Sequence, residues 1–170
     1  FKMVIKLYST MAFLFKEVEW VLRARAKRNN PTLELMLCKN NHLYCSDTYR
    51  AHIIEIDNES GLNEGLYEVI KNTKKEIIVS KVDSDISRFP DIDKIFPFHD
   101  NYKEKEVTVY KDMTSLSRAF CEVVLFSQKK INFKFFSDLA EDSYICYVYE
   151  KDAPLIFKNE QKKVIIMPIN

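Results

Sequence analysis

A segment with two prolines, Ser87 to Pro97, lies near the middle of the 170-residue sequence. Pro90 and Pro97 each fix a φ angle and lack an amide donor, so the segment is neither a helix interior nor a central strand. Its apolar residues, Phe89, Ile92, Ile95 and Phe96, nonetheless favour packing. We therefore predict a packed connector between two halves, residues 1–98 and 99–170.

Apolar spacing predicts a strand, a helix and then four strands in the first half. Lys2 to Tyr8 alternates apolar and polar residues, and the apolar positions from Met11 to Leu22 follow a helical repeat. Ser9 or Thr10 is the expected N-cap, and Pro31 follows the helix. The four predicted strands are Thr32 to Asn40, His42 to Asp57, Leu66 to Lys71 and Glu76 to Val82, with an Asn40-Asn41 turn between the first two.

The second half repeats the opening pattern. Lys105 to Tyr110 is a predicted strand, and Asp112 is the N-cap candidate of a helix that begins at Met113. An offset of 102 residues superposes this strand and helix on those of the first half, as an internal repeat. The later predictions are a strand at Ile131 to Phe135, a helical turn at Ser137 to Glu141, and strands at Tyr144 to Tyr149, Pro154 to Lys158 and Lys163 to Met167. The pattern predicts an α+β fold of two related halves, each with a helix packed on an antiparallel β-sheet.

Composition excludes several classes of protein. Apolar residues make up 46% and charged residues 30%, which is globular and not disordered composition. The two glycines, Gly61 and Gly65, form no phosphate-binding loop or dinucleotide fingerprint. No apolar run reaches transmembrane length, and no signal peptide is recognisable, so we expect a cytoplasmic protein without membrane partners.

The potential metal ligands are scattered. The four cysteines contain no C-x-x-C pair, and His42, His52 and His99 lack metal-type spacing. Cys38 and Cys45 flank a predicted turn, so a cross-strand disulfide is conceivable, but reduced buried thiols are favoured. We expect neither a metal nor a cofactor.

Paired acids offer the only enzymatic alternative. Asp91 and Asp93, or Asp83 and Asp85, are residue types that bind divalent ions or perform acid–base chemistry. They lie in polar turns, where aspartate commonly bonds its own backbone. We therefore expect no catalytic residues.

Three separated segments together resemble the bacterial β sliding clamp, the ring-shaped processivity factor of replicative DNA polymerase. Tyr44 to Ala51 contains S-D-T-Y-R-A and is similar to the clamp motif T-D-G-H-R-L. Arg88 to Pro97 is similar to its interdomain linker, and Ile165 to Ile169, I-I-M-P-I, is similar to its C-terminus. Within these motifs Thr48 stands in place of glycine and Tyr49 in place of histidine. The resemblance covers most of the chain in reduced form, because the family uses three larger domains per chain.

The resemblance implies a hydrophobic cleft that receives short linear peptides of DNA polymerase and other replication proteins. An apolar groove of this kind takes anchor side chains, while Arg50 and exposed backbone groups orient the peptide. The corresponding residues are Ser46, Thr48, Tyr49, Arg50, Ala51, Pro90, Lys94, Ile95, Ile165, Met167, Pro168 and Ile169. Plain core at the meeting of two sheets is the alternative reading of Ile95, Ile165 and Met167.

The resemblance also implies contact with duplex DNA through basic residues on the helices. The candidates are Arg23, Arg25, Lys27, Arg28, Arg118, Lys129 and Lys130. Such phosphate contacts are sequence-independent and salt-sensitive. The alternative for the first four is a solvated helix end. Because family rings close with six domains, two domains per chain imply a homo-oligomer of about three chains.

A second function remains open from the sequence. A phage or mobile-element interaction module could keep the clamp fold without encircling DNA, and act on the replication proteins of its host. A peptide-binding measurement tests the cleft under either hypothesis. The oligomeric state distinguishes a ring around DNA from a module that does not encircle it.

Overall fold

The structure, a computed structural model, describes residues 3–96 and 100–170. The chain divides into two compact units, unit 1 at Phe1–Asp93 and unit 2 at Lys94–Asn170. The predicted boundary between residues 98 and 99 lies outside the described residues, as do Lys2, Pro97 and His99.

Unit 1 contains six antiparallel strands in the spatial order β1-β6-β5-β2-β3-β4. Buried aliphatic and aromatic side chains of these strands form its core, and β2, β3 and β4 are buried at nearly every position. The strands are β1 (Val4–Tyr8), β2 (Met36–Lys39), β3 (His42–Ser46), β4 (Arg50–Glu55), β5 (Gly65–Asn72) and β6 (Glu76–Val82).

Helix α1 (Phe15–Leu22) packs against β3 and β4 of unit 1. Its buried face includes Val18 and Val21, both without exposed surface. The Trp20 ring stacks on the His52 ring with centroids 4.2 Å apart, and His52 Nδ1 lies 3.0 Å from the Trp20 carbonyl oxygen. These contacts fix the end of the helix to β4, the strand in which the S-D-T-Y-R-A motif ends.

The predicted ends of α1 are wrong. The helix begins at Phe15 because its N-cap, Leu14, takes a left-handed φ of 72°, so neither Ser9 nor Thr10 caps it. It ends at Leu22 with Arg23 as C-cap, well before Pro31. The amides of Ala24 and Arg25 still bond helix carbonyls three residues back, and the chain leaves the helix at Ala26, whose amide bonds the carbonyls of Leu33 and Ser46.

The Asn40-Asn41 turn is confirmed, but the strands on either side of it are shorter than predicted. Both asparagines have positive φ, 52° and 59°, and they join β2 to β3 in a two-residue hairpin that requires this conformation. The predicted strand Thr32 to Asn40 is a turn up to residue 35. The predicted strand His42 to Asp57 is two strands, β3 and β4, with a tight turn at Asp47, Thr48 and Tyr49.

Unit 2 contains four antiparallel strands in the order β10-β9-β8-β7 and two helices. Helix α2 packs on β7, and α3 packs on α2. The N-cap prediction is confirmed, because the Asp112 side chain accepts the Ser115 amide at 2.9 Å. The elements are β7 (Lys103–Val109), α2 (Met113–Ser127), α3 (Phe133–Ser137), β8 (Asp142–Val148), β9 (Leu155–Lys158) and β10 (Lys162–Ile166).

The predicted strand at Ile131 to Phe135 is wrong, because this segment contains the start of helix α3. Asn132 caps α3 by accepting the Lys134 amide at 2.9 Å, and the helical turn predicted at Ser137 to Glu141 therefore comes four residues earlier. Phe136 is fully buried, and its ring lies 5.7 Å from that of Phe120 and 6.1 Å from that of Phe157. Phe136 and the two rings that it contacts form part of the hydrophobic core of unit 2.

The four cysteines are free thiols. Cys38, Cys45 and Cys146 are buried, whereas Cys121 is exposed on α2. Burial raises the pKa of the Cys38 thiol to about 11 and that of Cys146 to about 12. Across residues 3–96 and 100–170, no helix is long and apolar enough to cross a membrane.

Candidate peptide-binding and DNA-contacting residues

The turn between β3 and β4 is held by two side chains of the S-D-T-Y-R-A motif. Asp47 Oδ1 accepts the amides of Tyr49 and Arg50, both at 2.9 Å. Ser46 Oγ donates to the Arg50 carbonyl at 2.9 Å and accepts the Thr48 amide at 3.2 Å. Thr48 takes a left-handed φ of 78°, so a β-branched residue occupies a conformation that favours glycine. The result is a tight turn with few remaining degrees of freedom.

The motif side chains divide into buried supports and exposed ones. Arg50 is 7% exposed; its guanidinium donates to the Arg23 carbonyl, and its Nε lies 3.6 Å from Asp47 Oδ2. Ser46 and Ala51 are also buried. Tyr49 projects from the turn with 66% of its surface exposed. Arg50 therefore holds the turn against the end of α1 and differs from the expected exposed orienting group.

The proline segment covers one face of unit 1. Phe89 and Ile92 are buried, while Pro90 is exposed. Tyr44 donates from its hydroxyl to Asp93 Oδ2 at 3.1 Å, and burial together with the Asp93 carboxylate raises the pKa of Tyr44 far above its usual value. A groove of about 460 Å³ remains between residues 86–93 and the β2–β3 hairpin.

The C-terminal motif ends β10 and continues beyond it in unit 2. Ile165 is 2% exposed, whereas Met167 and Ile169 are 38% and 54% exposed. The Ile169 amide donates to the Lys130 carbonyl at 2.7 Å. This bond ties the C-terminal segment to the residues that follow α2, so the exposed Met167 and Ile169 lie on an anchored backbone.

The structure thus distributes the predicted cleft residues between the two units. The exposed members with large apolar side chains are Tyr49 in unit 1 and Ile95, Met167 and Ile169 in unit 2. The other members in unit 1 are Ser46, Thr48, Arg50, Ala51 and Pro90, and those in unit 2 are Lys94, Ile165 and Pro168.

Three bacterial clamp structures align with nearly the whole chain. A putative DNA polymerase III beta subunit from Eubacterium rectale aligns with 99% of it at a TM-score of 0.61 and 17% identity, and the alignment covers 65% of that protein. The DNA polymerase III beta chain of Streptococcus pneumoniae aligns with 98% at 0.61 and 10% identity, with 64% of its own length covered. The Helicobacter pylori beta clamp, whose structure holds a DNA ligase peptide, aligns with 98% at 0.57 and 14% identity, with 65% of its length covered.

This chain has the fold of the bacterial sliding clamp. No family model matches the sequence. No curated protein matches it in sequence either. The chain spans less than two thirds of the length of the clamps with which it aligns. The resemblance inferred from three short motifs is therefore confirmed at the level of fold.

The predicted DNA-contacting residues of this clamp fold are not all available to a ligand. Arg23 pairs with Glu19 at 2.9 Å, and Arg25 Nη1 donates to a carbonyl at 3.2 Å. Lys129 is 6% exposed, and its Nζ donates to the carbonyls of Glu150 and Ala153, both at 2.6 Å. The remaining four, which are exposed, are Lys27, Arg28, Arg118 and Lys130.

The structure corrects the expectation for Lys129 in particular. Its ammonium group closes the loop between β8 and β9 and lies away from solvent, and burial lowers its pKa. A buried ammonium that is already bonded to two carbonyls is poorly placed for a phosphate contact. The sequence shows that residue 129 is a lysine, but its burial depends on the β8–β9 loop, whose carbonyls accept its hydrogen bonds.

Sequence reasoning also missed the residue that organises the turn. Asp47 was not among the predicted cleft residues, yet its carboxylate bonds two successive backbone amides. The available signal was an aspartate at the start of a turn, a position from which it commonly accepts amides two and three residues ahead.

Proposed function

We propose that the chain is a non-enzymatic, clamp-like DNA replication protein that binds short linear peptides of DNA polymerase or other replication proteins. The observation that carries the proposal is the sliding-clamp fold, which extends over 98–99% of the chain in the three alignments. The Helicobacter pylori clamp of the same fold was solved with a DNA ligase peptide bound.

The proposed peptide contacts combine exposed apolar side chains with anchored backbone. Tyr49, Met167 and Ile169 supply apolar surface for anchor side chains. The Tyr49 amide donates to Asp47 Oδ1 and the Ile169 amide donates to the Lys130 carbonyl, so hydrogen bonds hold the backbone at or near each of the three residues. Ile95 is 45% exposed and is a further proposed contact. Arg50, buried against the turn, acts through the turn and not through the peptide. Pre-organised contacts of this kind lower the entropy cost of binding an extended peptide.

Duplex DNA is the second proposed partner of the clamp fold. Lys27, Arg28, Arg118 and Lys130 are the exposed basic residues that we propose to contact phosphates. Such contacts weaken as salt concentration rises. The net charge of +1 supplies little general attraction, so we expect weak binding that depends on these four side chains.

A closed assembly around DNA calls for about three copies of a chain with two clamp units. Light scattering across protein concentration measures this directly. A stable trimer supports a ring, whereas a monomer at every concentration contradicts a self-sufficient ring and leaves peptide binding as the function.

Peptide binding is tested by fluorescence anisotropy with a labelled peptide that carries glutamine followed by leucine and aromatic anchors. Tyr49→Ala and Met167→Ala should each weaken binding about tenfold, as expected for partly exposed apolar anchors. Leu125→Ala is the control, because Leu125 is 77% exposed on α2 and lies outside the proposed contacts. Absence of binding at high micromolar concentration, or equal loss in all three variants, would contradict the proposal.

A further inference from the structure

Three tyrosines of unit 2 form a continuous aromatic cluster. Tyr147 lies on β8, and Tyr149 follows two residues later, directly after the strand ends. The ring of Tyr102, which directly precedes β7, lies 5.4 Å from the ring of Tyr147 and 5.4 Å from that of Tyr149. Tyr102 nonetheless keeps 42% of its surface exposed. We call these three residues the tyrosine cluster.

The tyrosine cluster lies on the face of the sheet that helix α2 leaves uncovered. Helix α2 packs on β7, and Lys103 of β7 extends toward it, because its Nζ donates to the Phe126 carbonyl at 2.6 Å. Val148, the register partner of Lys103, is buried on this helical side. Tyr147 and Tyr149 flank Val148 in the chain and therefore extend from the opposite face.

Carboxylates border the tyrosine cluster along β7. Glu104 is the register partner of Tyr147 and Glu106 that of Ile145, so both glutamates extend from the same face as the tyrosines. Both are exposed, and in the ranges 3–96 and 100–170 neither carboxylate forms an ion pair. Burial and then the Glu104 carboxylate raise the pKa of Tyr147, which places this charge close to the ring.

An open groove continues from Tyr147 along the same face. It has a volume of about 590 Å³, and its charged lining residues are Glu106, Glu160 and Lys158. Lys158 Nζ lies 5.3 Å from the Tyr147 ring centroid, so this ring already attracts one cation from the β9 side. Two strand spacings, about 10 Å, separate Lys158 from Glu106. The β7 side of the face is therefore aromatic and negatively charged.

Arginine is the side chain that best matches a surface of this composition. A guanidinium stacks on aromatic rings, and its N–H groups pair with a carboxylate in a fixed fork, whereas an ammonium is a strongly hydrated point charge. Glu104 and Glu106 are two residues apart in a strand, about 7 Å along it. An extended segment with the pattern Arg-x-Arg presents two guanidiniums on one face at the same spacing.

We propose that the tyrosine cluster, together with Glu104 and Glu106, binds an extended Arg-x-Arg segment of a partner protein. One guanidinium stacks on the exposed ring of Tyr102 and pairs with Glu104, and the other enters the groove and pairs with Glu106. This inference goes beyond the proposed peptide cleft and DNA contacts and shares no residue with either. It stands or falls independently of them.

The test is an NMR titration of the isotopically labelled protein with three short peptides in a glycine–serine frame. They contain Arg-Ser-Arg, Lys-Ser-Lys or adjacent Arg-Arg, which sends its two side chains to opposite faces of an extended chain. At low salt the Arg-Ser-Arg peptide should bind about fivefold tighter than either of the others, as one additional exposed ring or carboxylate contact gives. The shifted amides should be those of β7 and β8.

Two pairs of variants locate the contacts. Glu104→Gln/Glu106→Gln should weaken the Arg-Ser-Arg peptide about tenfold, whereas Glu59→Gln/Glu122→Gln, which removes two exposed carboxylates elsewhere, should leave it unchanged. Tyr102→Leu should abolish the preference for arginine over lysine. Tyr8→Leu should retain this preference, because Tyr8 is equally exposed, at 44%, but lies in unit 1.

Four results would overturn the inference. The first is the absence of saturable shifts with the Arg-Ser-Arg peptide at millimolar concentration, and the second is an equal effect of both double variants. The third is equal binding of the lysine and arginine peptides, which overturns the assignment to arginine. The fourth is an oligomer that Glu104→Gln/Glu106→Gln dissociates in light scattering, because the face then belongs to another copy of this chain and not to a partner protein.

Discussion

Replacing Thr48 by glycine should stabilise the protein, although it removes a side chain. Thr48 has a φ of 78°, and a side chain in the left-handed region costs about 1–2 kcal/mol. Glycine relieves this cost but adds freedom to the unfolded chain, which offsets about 0.4–1 kcal/mol. The side chain is exposed, and the amide that donates to Ser46 Oγ is retained in the variant. The expected net gain in the free energy of unfolding is therefore about 0.5–1 kcal/mol.

Thermal and urea unfolding measure this gain. For a chain of this size the thermal midpoint should rise by about 1–4 °C. Thr114→Gly is the matched control, because Thr114 is an exposed threonine in the first turn of α2 with a helical backbone. There glycine should not stabilise, since it adds only unfolded-state freedom. A Thr48→Gly protein that is no more stable than the unmodified one would refute the argument that the turn stores strain.

Three further predictions concern unit 2. Lys129→Met should destabilise the fold by roughly 1–3 kcal/mol in urea unfolding, because the carbonyls of Glu150 and Ala153 lose their donor. Burial lowers the pKa of Lys129 below its ordinary 10.5, so between the folded-state pKa and 10.5 the folded protein binds fewer protons than the unfolded protein. The free energy of unfolding should therefore rise with pH in that alkaline range, and Lys129→Met should lack this rise. Phe136→Ala should cost about 3–5 kcal/mol, measured in the same way, because it empties a fully buried aromatic site. A thiol reagent at pH 8 should label one cysteine rapidly in the folded protein, and Cys121→Ser should abolish that fast phase.

The elements that could be predicted from sequence are those decided by local chemistry. The Asn40-Asn41 hairpin follows from the tolerance of asparagine for positive φ, and the N-cap at Asp112 follows from its side-chain acceptor. Strand β6 has the predicted bounds, because charged residues flank a short β-branched run. In each case the local conformation depends on a few residues that are adjacent in the sequence.

The missed elements depend on contacts that are distant in sequence. Helix α3 has an apolar sequence that suits a strand equally well, and burial of Phe136 between two other aromatic rings decides for the helix. The left-handed Leu14 shortens α1 although the helical apolar pattern continues through it. The turn after β3 lacks glycine and proline, so its usual signal was absent.

The candidate site divides in the same way. Short motifs singled out the segment with Thr48 and Tyr49 and the C-terminal segment with Met167 as candidate peptide contacts, but they did not predict the turn, because Thr48 and Tyr49 depart from the glycine and histidine of the clamp motif. The burial of Arg50 and Lys129 did not follow from the motifs, since both side chains bond backbone carbonyls 21 or more residues away. Charge is visible in a sequence, whereas access to that charge is a property of the folded chain.

Strand β7 lies at the end of the strand order of unit 2, and its sequence restricts what can extend that sheet. Register places Lys103 and Lys105 on one face and Glu104 and Glu106 on the other. When two copies of one strand pair antiparallel about a twofold axis, each face meets itself, so no lysine lies directly opposite a glutamate and the like charges of both copies gather on the same face. The charge order of this edge thus disfavours a symmetric, self-complementary union and favours a neighbour whose edge differs from its own.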